Sequence, residues 1–381
     1  MIATRSLAVA AALAAASAAP VLAQGSVFAV RGLGFPGRAV TARTAGTEGA
    51  FAMFDPQMGL NPAAVGRVRA VQAWATFAPS SREFTGPTGN ASLRTTRFPL
   101  VGFATSLPPH FGLSVSFSDY LDRTWTLERQ DSMVVQGQME PFRDAERSLG
   151  GVSDVQLAAG WRSRSGSTLL GLGVHGYLGS VRLTSQRIFD NVAYEPIGQE
   201  GITDFRGLGV SAGVLTGIGN VLEVAASARW SGSLHSQNTT GTTARTDMPW
   251  ELNGGVRAQV VPGVLLAASA QYQAWSRTSG SLVAAGDDPS RSTWSISAGA
   301  EVQNLNLGPV RTPLRLGYRW RQLPFPSVGS DLGESAFGGG VGLNFAGDRA
   351  TVDIALERGK RSAGPARESF TTVFVGLTVR P

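Results

Sequence analysis

The histidines and the missing cysteines limit the chemistry that this chain of 381 residues can perform. Without Cys, the sequence offers no thiolate zinc site, iron–sulfur cluster, disulfide or cysteine nucleophile. The three histidines, His110, His175 and His235, are far apart along the chain, whereas a metal site needs clustered ligands. The sequence therefore predicts no metal site and no cofactor, and we interpret His175 as satisfied by hydrogen bonds or water.

A hydrolase centre is the catalytic alternative, since a membrane phospholipase or protease needs Ser, His and an acidic or amide partner that converge. Only His235, with Ser231, Ser233 and Asp247, approximates that pattern. The segment Gly171–Gly176 matches the G-x-G-x-x-G motif of dinucleotide-binding proteins, but it lies within a predicted strand and begins no helix. We therefore predict that the protein is not an enzyme.

A group of charged residues points to ion pairing or anion binding. Arg315, Arg319 and Arg321 have the spacing of one face of a strand, and Asp353 and Glu357 repeat that spacing two predicted strands later. The strand between them carries mostly glycine on the same face, so long side chains can meet across it. Two interpretations stay open: an ion-pair ladder that stiffens the wall, and a cationic patch that holds the carboxylate head group of a ligand.

Alternation of apolar and polar residues extends from these charges through almost the whole chain. Around the arginines, Leu314, Leu316, Tyr318 and Trp320 occupy the opposite face. The same period of two predicts fourteen strands, at residues 70–78, 97–107, 111–127, 151–163, 168–186, 202–216, 221–235, 248–261, 264–276, 292–303, 313–323, 335–346, 350–360 and 369–380. The fold class is therefore predicted to be all-β.

Turn lengths and composition indicate which all-β architecture these strands form. Short turns alternate with long predicted loops, at residues 79–96, 128–150, 187–201, 236–247, 277–291, 324–334 and 361–368. This alternation with an even strand number is typical of outer-membrane barrels, whereas a soluble sandwich would place polar residues outside. Charged residues make up only 16% of the chain, below the roughly 25% of soluble domains. We predict a 14-stranded antiparallel transmembrane β-barrel over residues 69–381.

Tryptophans near the predicted strand ends agree with this barrel, because aromatic side chains form girdles at both membrane interfaces. Seven occupy such positions: Trp125, Trp161, Trp230, Trp250, Trp275, Trp294 and Trp320. We expect all seven to face outward.

The first 23 residues have the pattern of a secretory signal peptide. Arg5 is followed by an apolar run over residues 7–19 and by the small-residue cleavage pattern Val21-Leu22-Ala23. A transmembrane anchor is the alternative, but the apolar run is short of the roughly 20 residues that a helical span needs. We expect cleavage after Ala23 and export to the cell outer membrane.

Residues 24–68 differ from the rest, because glycine and proline are frequent there and the strand alternation is absent. A lumen enclosed by fourteen strands is too wide for its own side chains to fill, so we predict that this segment is a hatch or plug. A disordered leader is the alternative, although solvated tails contain few aromatic residues. Seven residues of the segment are candidate ligand contacts: Phe51, Met53, Phe54, Met58, Leu60, Asn61 and Pro62.

The same segment resembles the N-terminal hatch of the FadL/TodX-type outer membrane transport family. The resemblance is carried by residues 37–40, 50–56 and 59–64, which end in Asn61-Pro62-Ala63-Ala64 before the first strand. Members have an Asn-Pro-Ala-Gly-like motif at this place, and Ala64 stands where the last glycine is usual. The resemblance implies a 14-stranded barrel with a hatch in its lumen, and passive transport of long-chain fatty acids or other hydrophobic molecules.

The implied partners are a hydrophobic small-molecule substrate, outer-membrane lipid and lipopolysaccharide, and the barrel-assembly machinery during insertion. In the expected mechanism, an apolar solute enters from the outer loops and passes when residues 51–60 shift. Two alternatives stay open: a barrel that acts as a scaffold or secretion-system partner without transport, and an open porin. The net charge of +6 does not indicate a nucleic-acid partner, because the arginines are scattered rather than gathered on one face.

Overall fold

The computed structural model of the chain describes residues 26–380, except residues 88, 304, 308–309, 328–329, 346 and 348. The predicted signal peptide at residues 1–23 lies outside the described residues. Fourteen strands form the wall: β1 Gln72–Gly86, β2 Gly89–Leu107, β3 Phe111–Asp122, β4 Gln138–Arg162, β5 Thr168–Phe189, β6 Ile197–Ile218, β7 Leu222–Ser231, β8 Trp250–Val261, β9 Val264–Gln273, β10 Thr293–Val302, β11 Leu314–Ser327, β12 Ser330–Phe345, β13 Ala350–Ala363 and β14 Ala366–Val379.

Every wall strand pairs antiparallel with its neighbours in the chain, and the sheet closes on itself. The closing seam joins β1 to β14, with Ala73 opposite Val379 and Thr85 opposite Arg367. Closure leaves no free sheet edge, which is the condition for a sheet to span a bilayer. The predicted 14-stranded antiparallel barrel is confirmed.

The alternation in the sequence determines which side chains face outward. Leu172 and Leu208 are about 70% exposed on the outer surface (69% and 72%), whereas the neighbouring His175 and Ser211 are buried inside. An apolar outside and a polar inside is the inverse of a soluble sandwich and suits a lipid environment. On four consecutive strands, Trp230 lies opposite Trp250 and Tyr272 lies opposite Trp294, and the rings of Trp250 and Tyr272, which are offset by two residues, are 5.2 Å apart.

Two of the seven tryptophans were wrongly expected on the outer surface. Trp125 is 8% exposed and Trp275 only 1%, and both belong to clusters inside the barrel. Each stands where the chain leaves the wall, so the strand alternation no longer determines the direction of its side chain. Trp275 begins a 3-10 helix, Trp275–Thr278, which continues into the α-helix Ser279–Ala284.

The two ends of the barrel differ. At one end, which we call the short-turn end, connections such as Pro108–His110 and Pro262–Gly263 join the strands directly. At the other, the hairpin end, most of the predicted loops are continuations of the wall strands. β4 has 25 residues and β5 and β6 have 22 each, whereas about 9–11 suffice to cross a bilayer.

Additional short strands complete the sheet. Trp125–Val135 pairs with the first half of β4, and the hairpin of Ser233–Asn238 and Thr243–Asp247 extends from β6. Asn306–Leu307 and Val310–Arg311 form a separate two-stranded sheet. Among the described residues, no helix exceeds six residues, and none is long and apolar enough to cross a membrane.

Candidate functional site

Residues 26–68, which we call the N-terminal segment, run through the lumen from the hairpin end to the short-turn end. At the hairpin end, the Ser26 hydroxyl donates a hydrogen bond to Glu368, at 2.8 Å. The two-residue strand Phe35–Pro36 then pairs with the end of β3. The 3-10 helix Val27–Val30 precedes this strand, and the α-helix Ala42–Ala45 and the 3-10 helices Ala52–Phe54 and Pro62–Arg67 follow it.

Neutral hydrogen bonds hold the last third of this segment against β4, β6 and β7. The amide of Asn61 donates to the carbonyls of Met53 and Val214, at 3.2 and 3.3 Å, and its oxygen accepts from the Ala63 backbone N–H. That last bond caps the Pro62–Arg67 helix. Gln156 donates to the Gly59 carbonyl at 2.9 Å, and Ser227 donates to the Leu60 carbonyl at 2.9 Å.

Glycines on the inner face of the wall let the two backbones approach. A Cβ atom added to Gly171 on β5 would lie 2.2 Å from the backbone of Pro62 and Ala63. One added to Gly317 on β11 would lie 2.2 Å from the carbonyl carbon of Thr47. Only a residue without a side chain fits at such distances. The space in front of these inward glycines is therefore occupied by the backbone of the N-terminal segment.

Ion pairs hold the middle of the segment against β10, β11 and β13. Glu48 is fully buried and accepts from Arg319 at 2.5 Å, while Arg38 donates both to Glu48 at 3.5 Å and to Glu357 at 3.0 Å. Arg43 binds Glu301 through two nitrogens, at 3.0 and 3.2 Å. Charges from both the segment and the wall thus form two sets of ion pairs, one around Glu301 and one around Arg319, which together we call the charge network.

All five of the lumen residues singled out from the sequence belong to this network. Arg315 binds Asp353 at 2.6 Å across the glycine-rich β12, and Arg319 binds Glu357 at 2.6 Å in the same way. Arg321 donates twice to Glu334, at 2.8 and 3.0 Å. The predicted meeting of long side chains across β12 therefore occurs, and each arginine is neutralised by carboxylates.

Sequence reasoning missed several members of the network. Glu334 was interpreted as a loop residue, yet it lies on β12, is buried, and accepts from Arg319, Arg321 and Arg361. Arg361 in turn binds Glu368, and both lie in a predicted loop that is strand in the structure. Both were missed because residues 361–368 were predicted to form a loop.

The seven candidate residues of the N-terminal segment divide between a cavity and the packing against the wall. Met53, Met58 and Leu60 line the larger lumen cavity, which has a volume of about 160 Å³. Phe51, Phe54, Asn61 and Pro62 do not line it, because they are directed against the wall. Phe51 packs with Ala50 and Ala267, and Phe54 packs with residues such as Leu169 and Leu215.

The larger cavity has polar walls. Ser116, Ser118, Gln271, Gln273 and Arg229 face it from three strands of the barrel, β3, β9 and β7. Arg319 and Arg321 also reach it, and each is already paired with carboxylates. The cavity therefore presents many hydrogen-bonding groups without an unpaired charge among these arginines.

Aromatic side chains close the cavity toward the hairpin end. Tyr120 and Tyr177 have ring centroids 4.7 Å apart, and Trp275 lies 6.4 Å from Tyr120 and 5.4 Å from Phe325. We call these four residues the aromatic cover. Leu33 of the N-terminal segment belongs to the same buried cluster. Tyr120 and Trp275 also line the cavity, so a molecule inside it would contact aromatic rings above and polar groups below.

His175 is satisfied by hydrogen bonds, as expected. Its Nδ1 lies 2.9 Å from Asp154 and its Nε2 lies 2.9 Å from the Ser211 hydroxyl, which is the connectivity of a hydrolase triad. The Ser211 hydroxyl, however, is packed against Gly173 and lines neither the larger cavity nor the smaller one described below. A substrate carbonyl has no room beside it, so the array is a structural hydrogen-bond chain.

The other histidine-based candidate does not assemble. His235 is exposed, and in the described part of the chain it makes no hydrogen bond to Ser231, Ser233 or Asp247. Ser231 instead bonds to Tyr177 at 2.7 Å, and Ser233 donates to Asp247 at 2.7 Å. The geometry at this rim therefore lacks a base next to a nucleophile.

Solved structures with a similar fold include a toluene transporter and a hydrocarbon channel. The chain resembles a FadL homologue from Pseudomonas aeruginosa (TM-score 0.59, 12% identity, 91% of this chain and 99% of that one). It also resembles the Pseudomonas putida toluene transporter TodX (0.57, 12%, 91% and 99%) and the monoaromatic hydrocarbon channel CymD (0.56, 14%, 92% and 99%). No family model matches the chain, and the search of curated proteins found no significant match. The predicted resemblance to the FadL/TodX-type fold is confirmed.

Proposed function

We propose that this protein is an outer-membrane channel for passive passage of hydrophobic or amphipathic small molecules, with residues 26–68 as its hatch. The observation that carries the proposal is the cavity between the aromatic cover and the N-terminal segment, inside a barrel whose outer face is apolar. Its roof of Tyr120 and Trp275 suits apolar groups, and its polar floor suits a head group. The similar solved structures, one of them a toluene transporter, support the same substrate class.

In the proposed mechanism, the solute enters from the hairpin end, which faces outside the cell, and occupies the cavity under the aromatic cover. Residues 51–60 then shift and open a path toward the short-turn end, which faces the periplasm. The shift breaks the hydrogen bonds of Gln156 and Ser227 to the Gly59 and Leu60 carbonyls, which are neutral and about 2.9 Å long. Neutral bonds can exchange with water at a net cost of only about 1 kcal/mol each.

A second candidate function is a scaffold or secretion-system partner whose N-terminal segment never moves. The buried pairs of Arg38, Arg43 and Glu48 with the wall favour it, because breaking such a pair leaves charges uncompensated. The two functions differ in whether the N-terminal segment must move for passage.

A reversible crosslink tests both functions. A Cβ atom added to Gly255 on β8 would lie 3.0 Å from the Met53 Cβ, close to the 3.5–4.5 Å of a disulfide. Since the native chain has no Cys, the double variant Met53→Cys/Gly255→Cys contains a single possible bridge. Uptake of labelled octanoate, oleate and toluene is measured in a Gram-negative strain without its own transporter for them.

We expect the wild type to raise uptake above the empty vector, and the oxidised double variant to lose it. Reduction with dithiothreitol should restore uptake, and the single variant Met53→Cys should be insensitive to oxidation. Uptake that persists in the oxidised double variant would contradict movement of residues 51–60. No uptake by a correctly folded wild type would favour the scaffold, and large steady bilayer conductance would indicate an open porin.

A further inference from the structure

We infer that the lumen contains a second, smaller site, which binds one carboxylate group beside Arg82. The guanidinium that this site uses is not one of the neutralised arginines of β11, and the inference goes beyond the proposed function, since binding there requires no passage through the barrel. Arg82 lies in a segment that the sequence pattern assigned to a loop.

Arg82 is a buried cation to which the described residues offer no hydrogen-bonding or ion-pair partner. It faces inward from β1, opposite Leu93 on β2 and Phe370 on β14, and is only 6% exposed. Its Nε and Nη1 atoms are buried, and within the described residues neither has a hydrogen-bond partner. Nor does Arg82 form an ion pair with any carboxylate that the structure describes.

Burial of the Arg82 guanidinium without a partner is unfavourable in free energy unless an anion binds to it. A guanidinium stays protonated inside proteins, so Arg82 cannot avoid the penalty by losing its proton. A buried charge without a counter-charge or hydrogen bonds is strongly disfavoured, and buried charges are therefore almost always paired. A ligand with one negative charge and two acceptor oxygens would supply both the missing counter-charge and the missing hydrogen-bond acceptors.

The surroundings of Arg82 are those of an anion site. Arg82 lines a cavity of about 80 Å³ between β1, β2, β14 and the N-terminal segment. Its wall contains six arginines and three acidic residues: Arg38, Arg82, Arg97, Arg319, Arg321 and Arg361, with Asp119, Glu334 and Glu357. Five of the six arginines bind carboxylates within the protein. Arg82 is therefore the one arginine in this wall that has no carboxylate partner among the described residues.

Hydroxyl groups supply the remaining donors. Ser80 and Thr95 line the same cavity from β1 and β2. The Thr372 hydroxyl donates to the Ser80 oxygen at 3.0 Å, which leaves the Ser80 hydrogen available for a ligand. A planar carboxylate matches a guanidinium and two hydroxyls better than a spherical halide does, and a single unpaired cation suits a monoanion rather than a phosphate dianion.

The carboxylate can belong to a small free acid or to the end of an amphipathic molecule. A volume of about 80 Å³ accommodates several non-hydrogen atoms but not a long chain. The smaller cavity shares wall residues with the larger one, among them Gly37, Val40 and Asp119. An alkyl chain whose carboxylate binds Arg82 would therefore extend along the N-terminal segment toward the larger cavity.

Calorimetry on the full-length protein in phosphatidylcholine nanodiscs tests the site, with empty nanodiscs as the blank and little chloride in the buffer. Sodium acetate and sodium octanoate are titrated separately. We expect the wild type to bind about one carboxylate per barrel, and Arg82→Met to weaken binding by at least about tenfold, because the charged hydrogen bonds are lost. Arg94→Met is the matched control, since Arg94 is on β2 but exposed, and it should bind as the wild type does.

The two ligands distinguish the two sources of the carboxylate. Similar affinities for acetate and octanoate would identify a site for small free acids, and binding of octanoate alone would identify a site for amphipathic molecules. Failure of the wild type to bind either ligand would overturn the inference, as would unchanged binding by Arg82→Met.

A second variant keeps the test valid if Arg82→Met does not fold, which heat-modifiable migration on gels would reveal. Ser80→Ala/Thr95→Val retains the guanidinium and removes two donors, so we expect affinity to fall about tenfold. Unchanged affinity in this folded variant would contradict the proposed geometry. None of these measurements depends on uptake, so the site and the proposed channel function can fail independently.

Discussion

The two halves of the wall hold the N-terminal segment by different means. β10, β11 and β13 bind it through charges, with Arg319 bonded to Glu48, Glu334 and Glu357 at once. The opposite half, around β4 to β7, binds it mainly through amides, hydroxyls and close backbone packing at residues such as Gly171, with one partly exposed ion pair, Arg67–Glu223, at the end of the segment. The contacts of the first half are therefore mainly ion pairs, whereas those of the second half are mainly neutral hydrogen bonds and close packing.

The difference shows which half can release the segment. A buried charge network is stable only while it is complete, since the loss of one member leaves another charge unpaired. Neutral hydrogen bonds can be exchanged one by one for bonds to water. We therefore expect movement during passage to begin on the neutral half, and the charged half to act as its fixed support.

The largest effect is expected from Arg319→Met. The substitution leaves three buried carboxylates without their shared cation, and we expect a loss of about 3–5 kcal/mol in the free energy of unfolding. Urea unfolding of the detergent-solubilised protein, followed by tryptophan fluorescence, measures it. A loss below about 1 kcal/mol would show that the charged half does not support the segment.

A slightly smaller effect is expected from Gly171→Val on the neutral half. The added side chain collides with the backbone of Pro62 and Ala63, and overpacking of this kind costs about 3 kcal/mol. The N-terminal segment of this variant should also be cleaved faster in limited proteolysis than that of the wild type. Gly254→Val is the matched control, because a Cβ atom there meets nothing within 4 Å. Equal behaviour of the two variants would refute a role for close packing at Gly171.

Asn61→Ala should have an intermediate effect. It removes the helix cap on Ala63 and the bonds to the Met53 and Val214 carbonyls, which together contribute about 1–2 kcal/mol. Asn61→Ser retains a capping oxygen without adding a buried charge and is too short to make both donated bonds, so its unfolding midpoint should lie between those of the wild type and Asn61→Ala. A midpoint for Asn61→Ser below that of Asn61→Ala would contradict this assignment.

The smallest effect is expected from Arg129→Met. Arg129 pairs with Asp131 on the exposed hairpin, where water screens the interaction. We expect no measurable change in the unfolding midpoint, in contrast to Arg319→Met. A marked decrease in the unfolding midpoint would mean that burial in the lumen does not determine how much an arginine contributes to stability.

The alternation of apolar and polar residues predicted the wall strands well, because each side chain of such a strand faces either lipid or the lumen and its polarity matches that environment. Arg315, Arg319 and Arg321 were assigned to the inner face, and their partners across β12 followed from the glycines between them. The geometry supports the ion-pair interpretation of these residues, since each is neutralised within the protein.

The same alternation failed where strands continue beyond the membrane. There both faces meet water or other protein, so the apolar face disappears and the segment resembles a loop. Glu334, Arg361 and Glu368 were lost from the predicted site for this reason, as was Arg82. Glu48 was missed because its contacts join residues 271 positions apart, which a local pattern does not reveal.

The path of the N-terminal segment also sets an order of assembly. Ser26 bonds to Glu368, 342 positions away, and Arg38 bonds to Glu357, 319 positions away. These contacts cannot form until the last two strands of the chain exist, and contacts this distant in sequence form slowly. The N-terminal segment, although it is synthesised before the wall strands, must therefore wait for the last two of them. The seam between β1 and β14 closes and the N-terminal segment binds to the inner wall together, as one late step of assembly.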